Sequence, residues 1–392
     1  MSDDVFQKSV EAHRASRGKI AVQSKMKVEN AADLSLAYSP GVAGPCRAIA
    51  EDPALIYELS SKWNTVAVIT DGSAVLGLGD IGPLASIPVM EGKSILFKRF
   101  ADIDSIPLAI ASQDVDEIVR TVSLITASLG GINLEDIAAP RCFEIERRLQ
   151  DICDIPVFHD DQHGTAVITV AGLLNGLKLA GKNMAEVKIV VSGAGAAGNA
   201  VVRFLTAFGA ENIVVCNRSG ALYRGRPDLN QASADLARST NPNNEKGCLA
   251  DALYGADVFI GLSAPGLVSG PMVASMAKDP IVLALANPSP EIFPEEAKAA
   301  GALAVGTGRS DFPNQFNNCL CFPGLFRGAL DVRARVINEE MKTAAALALT
   351  ELIAEDELKP DYIIPSIFDP RVVPAIAAKV ARAARESGAA RI

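Results

Sequence analysis

The sequence predicts an α/β protein of two domains, in which a C-terminal Rossmann-type domain contains a doubly wound parallel sheet. Three observations support this prediction. Short apolar segments of buried-strand character alternate with segments of helical spacing, as they do in proteins with parallel sheets. A glycine-rich turn at 193–198 lies between one such strand and a helix. The chain has 392 residues, a length at which two domains can each bury a core.

The first half of the chain predicts an N-terminal α/β domain over residues 1–160. Its opening segment has the apolar spacing of a helix, and short apolar segments between turn signals predict a small sheet further on. The last strand leads directly into a cluster of acids and histidines. The expected elements are helices at 5–16, 114–128 and 141–150, a small sheet within 63–98, and a strand at 155–158.

The second half, residues 161–392, predicts the Rossmann-type domain followed by C-terminal helices. Its strands are short and apolar, and helices or polar loops separate them, which is typical of a parallel sheet. Two alanine-rich helices are expected to end the chain. The expected strands are 187–191, 212–217, 257–261, 281–285 and 302–306; the expected helices are 164–180, 199–209, 329–356 and 370–387, with a polar loop at 218–245.

The glycine-rich turn reads Gly193-Ala194-Gly195-Ala196-Ala197-Gly198. It follows a strand, opens a helix and precedes a second strand within about 30 residues, the context that a dinucleotide-binding turn requires. One glycine makes the sharp bend, a second lets the backbone approach the pyrophosphate, and a third lets helix and strand pack closely. The positive end of the helix dipole then binds the pyrophosphate. We therefore predict a dinucleotide site at Gly193, Gly195, Ala196, Ala197 and Gly198.

A second segment, Gly77-Leu78-Gly79-Asp80-Ile81-Gly82, matches the same pattern. Pro83 and Pro88 follow it, and proline disfavours a continuous helix. Without a helix N-terminus behind it, this loop would lack an anion site. We expect it not to bind the dinucleotide.

Composition excludes several classes of protein. Apolar residues make up 49% of the chain and charged residues 21%, as in ordinary globular proteins. The net charge of −9 and the absence of a basic stripe argue against a nucleic-acid partner. No apolar run is long enough to span a membrane, and the acidic start does not resemble a secretory signal. Seven cysteines without a C-x-x-C pair indicate reduced thiols in a cytoplasmic protein rather than a zinc site.

Two acidic pairs are candidates for a metal site. Glu135-Asp136 lies in an otherwise apolar stretch, and Asp160-Asp161 ends a strand of buried character. Three converging carboxylates would suit Mg²⁺ or Mn²⁺, which prefer oxygen ligands and keep positions open for substrate. The alternative is that these acids stabilise helix N-termini, since Asp161 precedes a helix expected from residue 164.

Other polar residues are weaker candidates when taken singly. His159 and His163 flank the second acidic pair and suit structural roles better than a zinc site. Lys93, expected at a turn before a strand at 94–97, is a surface lysine unless its surroundings lower its pKa enough for it to act as a base. Tyr38 lies in a turn. It is either a half-buried tyrosine whose hydroxyl is hydrogen-bonded or a residue with a functional role. Asn287 follows a strand at the edge where such sheets bind ligands, and Asn317-Asn318 lies in a polar loop.

Taken together, these motifs resemble the malic enzymes, in the short bacterial form, nearly end to end. Several long motifs in the family's order are far more specific than one glycine-rich turn. The matching segments are Tyr38-Ser39-Pro40-Gly41-Val42, Thr70-Asp71-Gly72, Gly77-Leu78-Gly79-Asp80, Ile87 to Lys93, Asn133-Leu134-Glu135-Asp136, Phe158 to Ala166, the turn at 193, Ala286-Asn287-Pro288, Gln315 to Asn318 and Phe322-Pro323-Gly324.

The resemblance implies a substrate and metal domain at the N-terminus and the oxidative decarboxylation of L-malate to pyruvate and CO₂, with NAD(P) and Mg²⁺ or Mn²⁺. It implies that Lys93 is the general base and Tyr38 the general acid, with Asp160 hydrogen-bonded beside the lysine. The implied metal ligands are Glu135, Asp136 and Asp161, and the implied contacts to the substrate carboxylates, near the nicotinamide, are Asn287 and Asn318. The family also implies a homodimer or a larger homo-oligomer.

One departure from the family pattern concerns substrate binding. Eukaryotic relatives have an arginine after the Asp-Gly turn that holds a substrate carboxylate, whereas this chain has Ser73-Ala74-Val75. Another cation, or backbone and asparagine donors, must take that role. Two other functions stay open: malolactic conversion of malate to lactate, and a catalytically inactive nucleotide-sensing module.

The cofactor preference depends on the end of the second strand of the Rossmann-type domain. NAD enzymes usually have an acid there, whereas a nearby arginine suits the 2′-phosphate of NADP. This strand ends Cys216-Asn217-Arg218-Ser219, without an acid. We predict a preference for NADP, with Arg218 and Ser219 at the phosphate and Asn217 as a further cofactor-binding residue. The alternative is a solvated Arg218.

Overall fold

The computed structural model describes residues 2–75 and 77–392 and contains two sheets. The first has four parallel strands in the order β2-β1-β3-β4, and the second has six strands in the order β10-β9-β8-β5-β6-β7. Helices connect the parallel strands of both sheets. The predicted α/β class, with a doubly wound parallel sheet in the second half, is confirmed.

The first sheet is built on a fully buried central strand. β1 consists of apolar and threonine side chains, all of them buried, as is typical of a strand covered on both faces. Its neighbours β2 and β3 flank it in parallel register. The elements of this half are β1 (Thr65–Thr70), β2 (Asp104–Ala109), β3 (Gly131–Leu134), β4 (Val157–His159), α1 (Ser2–Ser16), α2 (Ala31–Ala37), α3 (Ala43–Glu51), α4 (Ile56–Leu59), α5 (Gly82–Ala101), α6 (Val115–Ile125) and α7 (Arg141–Ile152).

The expectation that prolines would prevent a helix after the loop at 77 is wrong. α5 begins at Gly82 and runs for 20 residues through Pro88. Pro83 lies in the first turn, where its missing N–H costs nothing. Pro88 removes one hydrogen bond from the helix interior, but α5 buries Met90 and Phe97 completely, and this packing outweighs the loss.

Residues 5–63 lie on the surface of the chain. No described side chain from residue 5 to residue 63 is buried, although this segment includes α1 to α4. Several large apolar side chains are exposed here, among them Phe6, Val22, Met26 and Leu36. A surface segment with so much exposed apolar area is typical of a protein–protein contact.

The second sheet has the strand order of a Rossmann fold, with β5 next to β8 where the order reverses. Only its short edge strand β7 is antiparallel among the pairs formed by the described residues. Its elements are α8 (Asp160–Ala180), β5 (Lys188–Ser192), α9 (Ala196–Ala207), β6 (Asn212–Asn217), β7 (Gly220–Ala221), α10 (Gln231–Ser239), α11 (Leu249–Leu253), β8 (Val258–Gly261), α12 (Gly270–Ala274), β9 (Ile281–Ala284), α13 (Pro294–Ala299) and β10 (Ala304–Thr307).

Two sequence predictions in this half are corrected. The segment 218–245, expected to be a polar loop, contains β7 and α10, which Asn230 caps with its side chain. The single helix expected at 329–356 is replaced by α14 (Phe322–Asp331) and α15 (Glu339–Glu351). The chain leaves the helical conformation between them, with Arg333 at a φ of 47°. α16 (Val372–Glu386) follows as expected.

The C-terminal helices pack back onto the first sheet. The ring of Phe326, on α14, lies 5.3 Å from the ring of Phe97 and 5.8 Å from that of Phe158. One hydrophobic core therefore includes residues from both sheets. The predicted division into residues 1–160 and 161–392 stays a prediction. No helix among residues 2–75 and 77–392 has the length and apolarity to cross a membrane.

Candidate active site

Lys93 lies on α5 rather than at the turn before a strand that the sequence predicted. Its ammonium nitrogen Nζ is 2.6 Å from Oδ2 of Asp160 and 2.9 Å from Oε1 of Glu135. It also lies 4.5 Å from the ring centroid of Phe322. Only 11% of the side chain is exposed. The structure therefore brings this lysine together with both acidic pairs.

Two opposing effects determine the pKa of Lys93. Burial favours the neutral amine and lowers the pKa, whereas the charges of Asp160, Glu135 and Asp161 raise it. The carboxylates outweigh burial, so the pKa of Lys93 is raised well above its ordinary value. Without a further cation, the side chain is an ammonium and cannot accept a proton.

Three carboxylates converge beside the lysine. One oxygen or more from each of Glu135, Asp136 and Asp161 lies within 4.8 Å of the others. The register of the sheet explains this, because Leu134 of β3 pairs with His159 of β4, so the residues that follow both strands emerge at the same edge. The backbone N–H of Asp136 donates to Oδ2 of Asp161 at 2.8 Å.

Crowding of negative charge makes this cluster suitable for a cation. Burial and the nearby charges of Asp161, Asp160 and Asp136 raise the pKa of Glu135 despite the opposing effect of Lys93. Oε2 of Glu135 accepts a hydrogen bond from Nδ2 of Asn133 at 2.8 Å. An all-oxygen donor set that gains stability from added positive charge fits Mg²⁺ or Mn²⁺.

The two histidines near the cluster have separate surroundings. His163 Nε2 lies 2.9 Å from Oε1 of Glu146, a buried residue. Although burial would raise the pKa of the Glu146 carboxyl, the charge and hydrogen bond of His163 lower it. His159 is fully buried, and among the described residues its ring nitrogens have no hydrogen-bond partner. The pairing of His163 with Glu146 agrees with a structural role.

Tyr38 differs from Glu135 and Asp160 in being exposed to solvent. It ends α2 on the surface segment, and 68% of it is exposed. Its hydroxyl makes no hydrogen bond within the part of the chain that the structure describes.

The two candidate asparagines have different neighbours. Asn318 Nδ2 donates to the backbone carbonyl of Asp160 at 3.3 Å, which fixes it beside the start of α8. Asn287 follows β9, and its side chain lies against Gly308. A Cβ at Gly308 would lie 2.3 Å from Nδ2 of Asn287. The next residue, Pro288, contacts the loop of the first half, since a Cβ at Gly77 would lie 2.8 Å from the ring of Pro288.

The loop at 77 differs from a dinucleotide turn despite the helix behind it. The backbone N–H groups of Ile81 and Gly82 both donate to the carbonyl of Gly72 at 3.1 Å, and Pro83 has no N–H to offer. These groups are therefore not available to an anion. Beside this turn, Arg141 Nη2 lies 3.2 Å from Asp71, so a cation is near the position where the family arginine is missing.

The three glycines of the turn at 193 have different surroundings. A Cβ at Gly193 would lie 2.6 Å from the carbonyl oxygen of Leu262, and a Cβ at Gly198 would lie 1.9 Å from that of Gly193. No atom lies within 4 Å of the Cβ position of Gly195, which precedes the N-terminus of α9. Gly195, Ala196 and Ala197 thus lie at the open end of the helix, where an anion binds.

The end of β6 is open to solvent. Arg218 and Ser219 are exposed, Asn217 is half-buried, and the backbone N–H of Ser219 donates to Oδ1 of Asn217 at 3.0 Å. Among the residues that the structure describes, the Arg218 side chain has no hydrogen-bond or ion-pair partner.

Glu291, a buried acid that follows β9, is not among the site residues predicted from the sequence. It is fully buried, and its carboxylate accepts hydrogen bonds from the backbone N–H groups of Ser263 and Ala286. The signal available in the sequence was an acid between apolar residues, four positions after Asn287.

Comparison with known protein families decides the relationship. A family model described as "Malic enzyme, NAD binding domain" matches residues 162–385, and one described as "Malic enzyme, N-terminal domain" matches residues 17–114 and 109–150. The chain belongs to the malic enzyme family. With both domains of the family present, it is an NAD(P)-dependent malic enzyme, an oxidoreductase.

Individual relatives cover nearly all of the chain. A protein of Bacillus subtilis named bifunctional malic/malolactic enzyme is 57% identical over 98% of this chain and 94% of its own length. One of Geobacillus stearothermophilus named NAD-dependent malic enzyme is 55% identical over 95% and 78%. The crystal structure of malic enzyme from Pyrococcus horikoshii superposes with a TM-score of 0.93 at 48% identity, over 99% of this chain and 92% of that one.

Proposed function

We propose that the chain catalyses the oxidative decarboxylation of L-malate to pyruvate and CO₂, with reduction of NADP and with a divalent cation. The observation that best supports this is the contact of Lys93 with both Asp160 and Glu135. It joins a proton-accepting group to an oxygen-rich cation site, and oxidation of a hydroxy acid followed by decarboxylation needs both.

Lys93 is the proposed base for the C2 hydroxyl of malate. Its pKa must fall for this role, and neutralising the adjacent carboxylates with a bound cation would lower it. Asp160 accepts a hydrogen bond from the ammonium and so fixes the direction of the Lys93 side chain. The neutral amine would accept the hydroxyl proton, and a nicotinamide cofactor bound at the turn at 193 would supply the acceptor for the hydride from C2.

Glu135, Asp136 and Asp161 are the proposed ligands of Mg²⁺ or Mn²⁺. When bound, the cation supplies a Lewis acid for the keto oxygen of the oxidised substrate. Asn287 and Asn318 are the proposed donors to the substrate carboxylates, in place of the missing arginine. Tyr38 is the proposed acid that returns a proton to C3 after CO₂ is lost.

The exposed N-terminal segment supports a homodimer or a larger homo-oligomer. Residues 5–63 bury no described side chain and expose a series of large apolar groups, and Tyr38 lies on the same surface. We propose that a second copy of the chain covers this surface. A monomeric mass at micromolar concentration in light scattering would contradict this. The compartment we propose is the cytoplasm, which agrees with seven free cysteines.

The proposed preference for NADP depends on Arg218, which is exposed at the end of β6 in a position suited to a 2′-phosphate. Its guanidinium has no competing partner among the described residues. Asn217 and Ser219 would add donors beside it.

A malolactic activity is the second candidate. The observation that favours it is the 57% identity to the Bacillus subtilis enzyme whose name includes that reaction. In that case the cofactor stays bound and is recycled, and the product is lactate.

One experiment separates these functions. Purified protein with malate, Mn²⁺ and NADP is followed for NADPH, CO₂, pyruvate and lactate. Equal amounts of NADPH, CO₂ and pyruvate support the proposed reaction, whereas lactate and CO₂ without net NADPH support malolactic conversion. Reduction without CO₂ indicates a simple hydroxy-acid dehydrogenase, and no product with intact nucleotide binding indicates an inactive sensing module.

A further inference from the structure

Glu291 is a carboxyl group buried inside the second domain. The side chain is fully buried, with Oε1 accepting from the backbone N–H of Ser263 at 3.0 Å and Oε2 accepting from that of Ala286 at 3.0 Å. Among the described residues it has no ion-pair partner. Buried carboxylates are rarely left without a cation, so this one requires an explanation.

The two hydrogen bonds join the ends of neighbouring strands. Ser263 follows β8 and Ala286 follows β9, and a Cβ at Gly261 would lie 2.3 Å from the carboxyl carbon of Glu291. Ser263 Oγ also lies 2.9 Å from Oγ of Ser192, which ends β5. The carboxylate therefore lies directly beneath the edge of the sheet at which Rossmann folds bind dinucleotides.

The nicotinamide half of the dinucleotide belongs at this part of the edge. The pyrophosphate would lie at the turn at 193, and the adenine half would extend toward β6 and Arg218. The turn at Asn287 and Pro288, which follows β9, contacts the loop at Gly77 of the first domain. The half of the cofactor that reacts with substrate would point toward that domain, and the residues that follow β8 and β9 would then lie beside it.

The charge of the nicotinamide ring changes during the reaction. The oxidised ring carries one positive charge and the reduced ring carries none. An ionised carboxylate fixed at this edge of the sheet, in a poorly solvated environment, would attract the oxidised ring more than the reduced one. Burial raises the pKa of Glu291 above its ordinary value, and the backbone hydrogen bonds from Ser263 and Ala286, which favour the ionised form, oppose this only in part. The charge is therefore tested at pH 8, where ionisation of the carboxyl is most favoured.

We propose that Glu291 is a specificity-determining residue of the nicotinamide site, whose charge favours binding of the oxidised cofactor over the reduced cofactor. This goes beyond the proposed reaction and depends on it only for the cofactor. The hydrogen bonds hold the carboxylate in place, so the preference is built into the free protein.

The test compares the Kd of NADP⁺ with that of NADPH, measured by calorimetry on the full chain without malate, so that turnover is not required. In Glu291→Gln, which removes the charge and nearly keeps the shape, the Kd of NADP⁺ should rise about tenfold more than that of NADPH. Equal weakening of both forms would mean a structural role only and would overturn the proposal. The control Glu295→Gln removes an exposed charge four residues away. It should change neither the Kd of NADP⁺ nor that of NADPH.

A second variant keeps the test valid if Glu291→Gln does not fold. Glu291→Asp keeps the charge but shortens the side chain, so binding of both forms should weaken while the ratio of the two Kd values stays within about threefold of the wild-type ratio. A ratio that changes tenfold although the charge is retained would contradict the proposal. Absence of pyruvate in the activity assay, by contrast, would affect the proposed reaction and leave these measurements unaltered.

Discussion

The ammonium of Lys93 donates a hydrogen bond to Oδ2 of Asp160 at 2.6 Å, across 67 positions of sequence. Asp160 is fully buried in the first turn of α8, and a Cβ at Gly164, one turn later, would lie 1.9 Å from its Oδ1. The aspartate is therefore confined by its own helix, and the lysine is held by a group that cannot easily move.

Replacing Lys93 tests this arrangement. Lys93→Ala should lower kcat by about 100- to 10,000-fold, the usual contribution of a general base. Binding of NADP, measured by calorimetry, should stay within about twofold, because Lys93 lies outside the nucleotide turn. Lys98→Ala, on the same helix but exposed, is the matched control and should retain activity. Turnover within tenfold of wild type in Lys93→Ala would rule out the proposed role.

Cation binding should stabilise the protein more at pH 8 than at pH 5. The pKa of Glu135 is raised on folding, so ionising it costs stability, and this cost appears as the pH rises above the value of an unfolded glutamate. Mn²⁺ offsets the cost, and at 100 times its Kd it should add about 2.7 kcal/mol to the free energy of unfolding. Thermal unfolding with Mn²⁺ and with a chelator measures the difference.

Glu135→Gln separates two effects of the Glu135 charge, which are repulsion among the acids and binding of the cation. Without cation at pH 8 the variant should unfold at a higher temperature than wild type, since the repulsion among the acids is reduced. Addition of Mn²⁺ should then give little further stabilisation. If Mn²⁺ raised the unfolding temperature of this variant as much as that of the wild type, Glu135 would be excluded as a ligand.

Two glycines of the turn at 193 should respond differently to alanine. Gly195→Ala has open space for the added methyl and should leave the unfolding temperature nearly unchanged, while weakening NADP binding by tenfold or more. In Gly198→Ala the methyl would lie 1.9 Å from the carbonyl of Gly193, so the fold itself should lose stability. Equal losses of stability in the two variants would contradict this reading of the turn.

Arg218→Ala should lower kcat/KM for NADP by tenfold or more and leave that for NAD within about twofold. The reason is that the guanidinium would contact only the 2′-phosphate, which NAD lacks. Steady-state rates with both cofactors measure this, with Arg224→Ala, another exposed arginine nearby, as the control. Equal efficiency of the wild type with both cofactors would refute the NADP preference.

The sequence was most informative where local pattern and tertiary context agree. The strand, turn and helix around Gly193 are predicted correctly, because the spacing of the apolar residues and the glycines of the turn suffice to define them. Lys93 was misplaced because two prolines in α5 indicated a break, and only the burial of Met90 and Phe97 shows why the helix continues. The contact between Lys93 and Glu135 depends on which strands are neighbours, and no local pattern contains that information.

The remaining errors share this cause. α10 lies in a segment rich in polar residues, and its short apolar side was not distinguishable from a loop. The surface position of Tyr38 could not be predicted either, since a motif gives the identity of a residue and not its exposure. Glu291 was missed because a buried carboxylate without a cation is uncommon and has no sequence signature.

The carboxylate cluster contains acids from both sides of the predicted boundary at residue 160. This limits how the two halves of the chain can be separated in evolution. A break between His159 and Asp160 would leave Glu135 and Asp136 on one fragment and Asp161 on the other, although the backbone N–H of Asp136 donates directly to Asp161. Exchange of the first half for an unrelated module would keep the nucleotide turn, and exchange of the second half would remove it, but either exchange would divide the carboxylate cluster. The two halves can diverge in sequence, but selection must retain them as one gene or as fragments that reassemble.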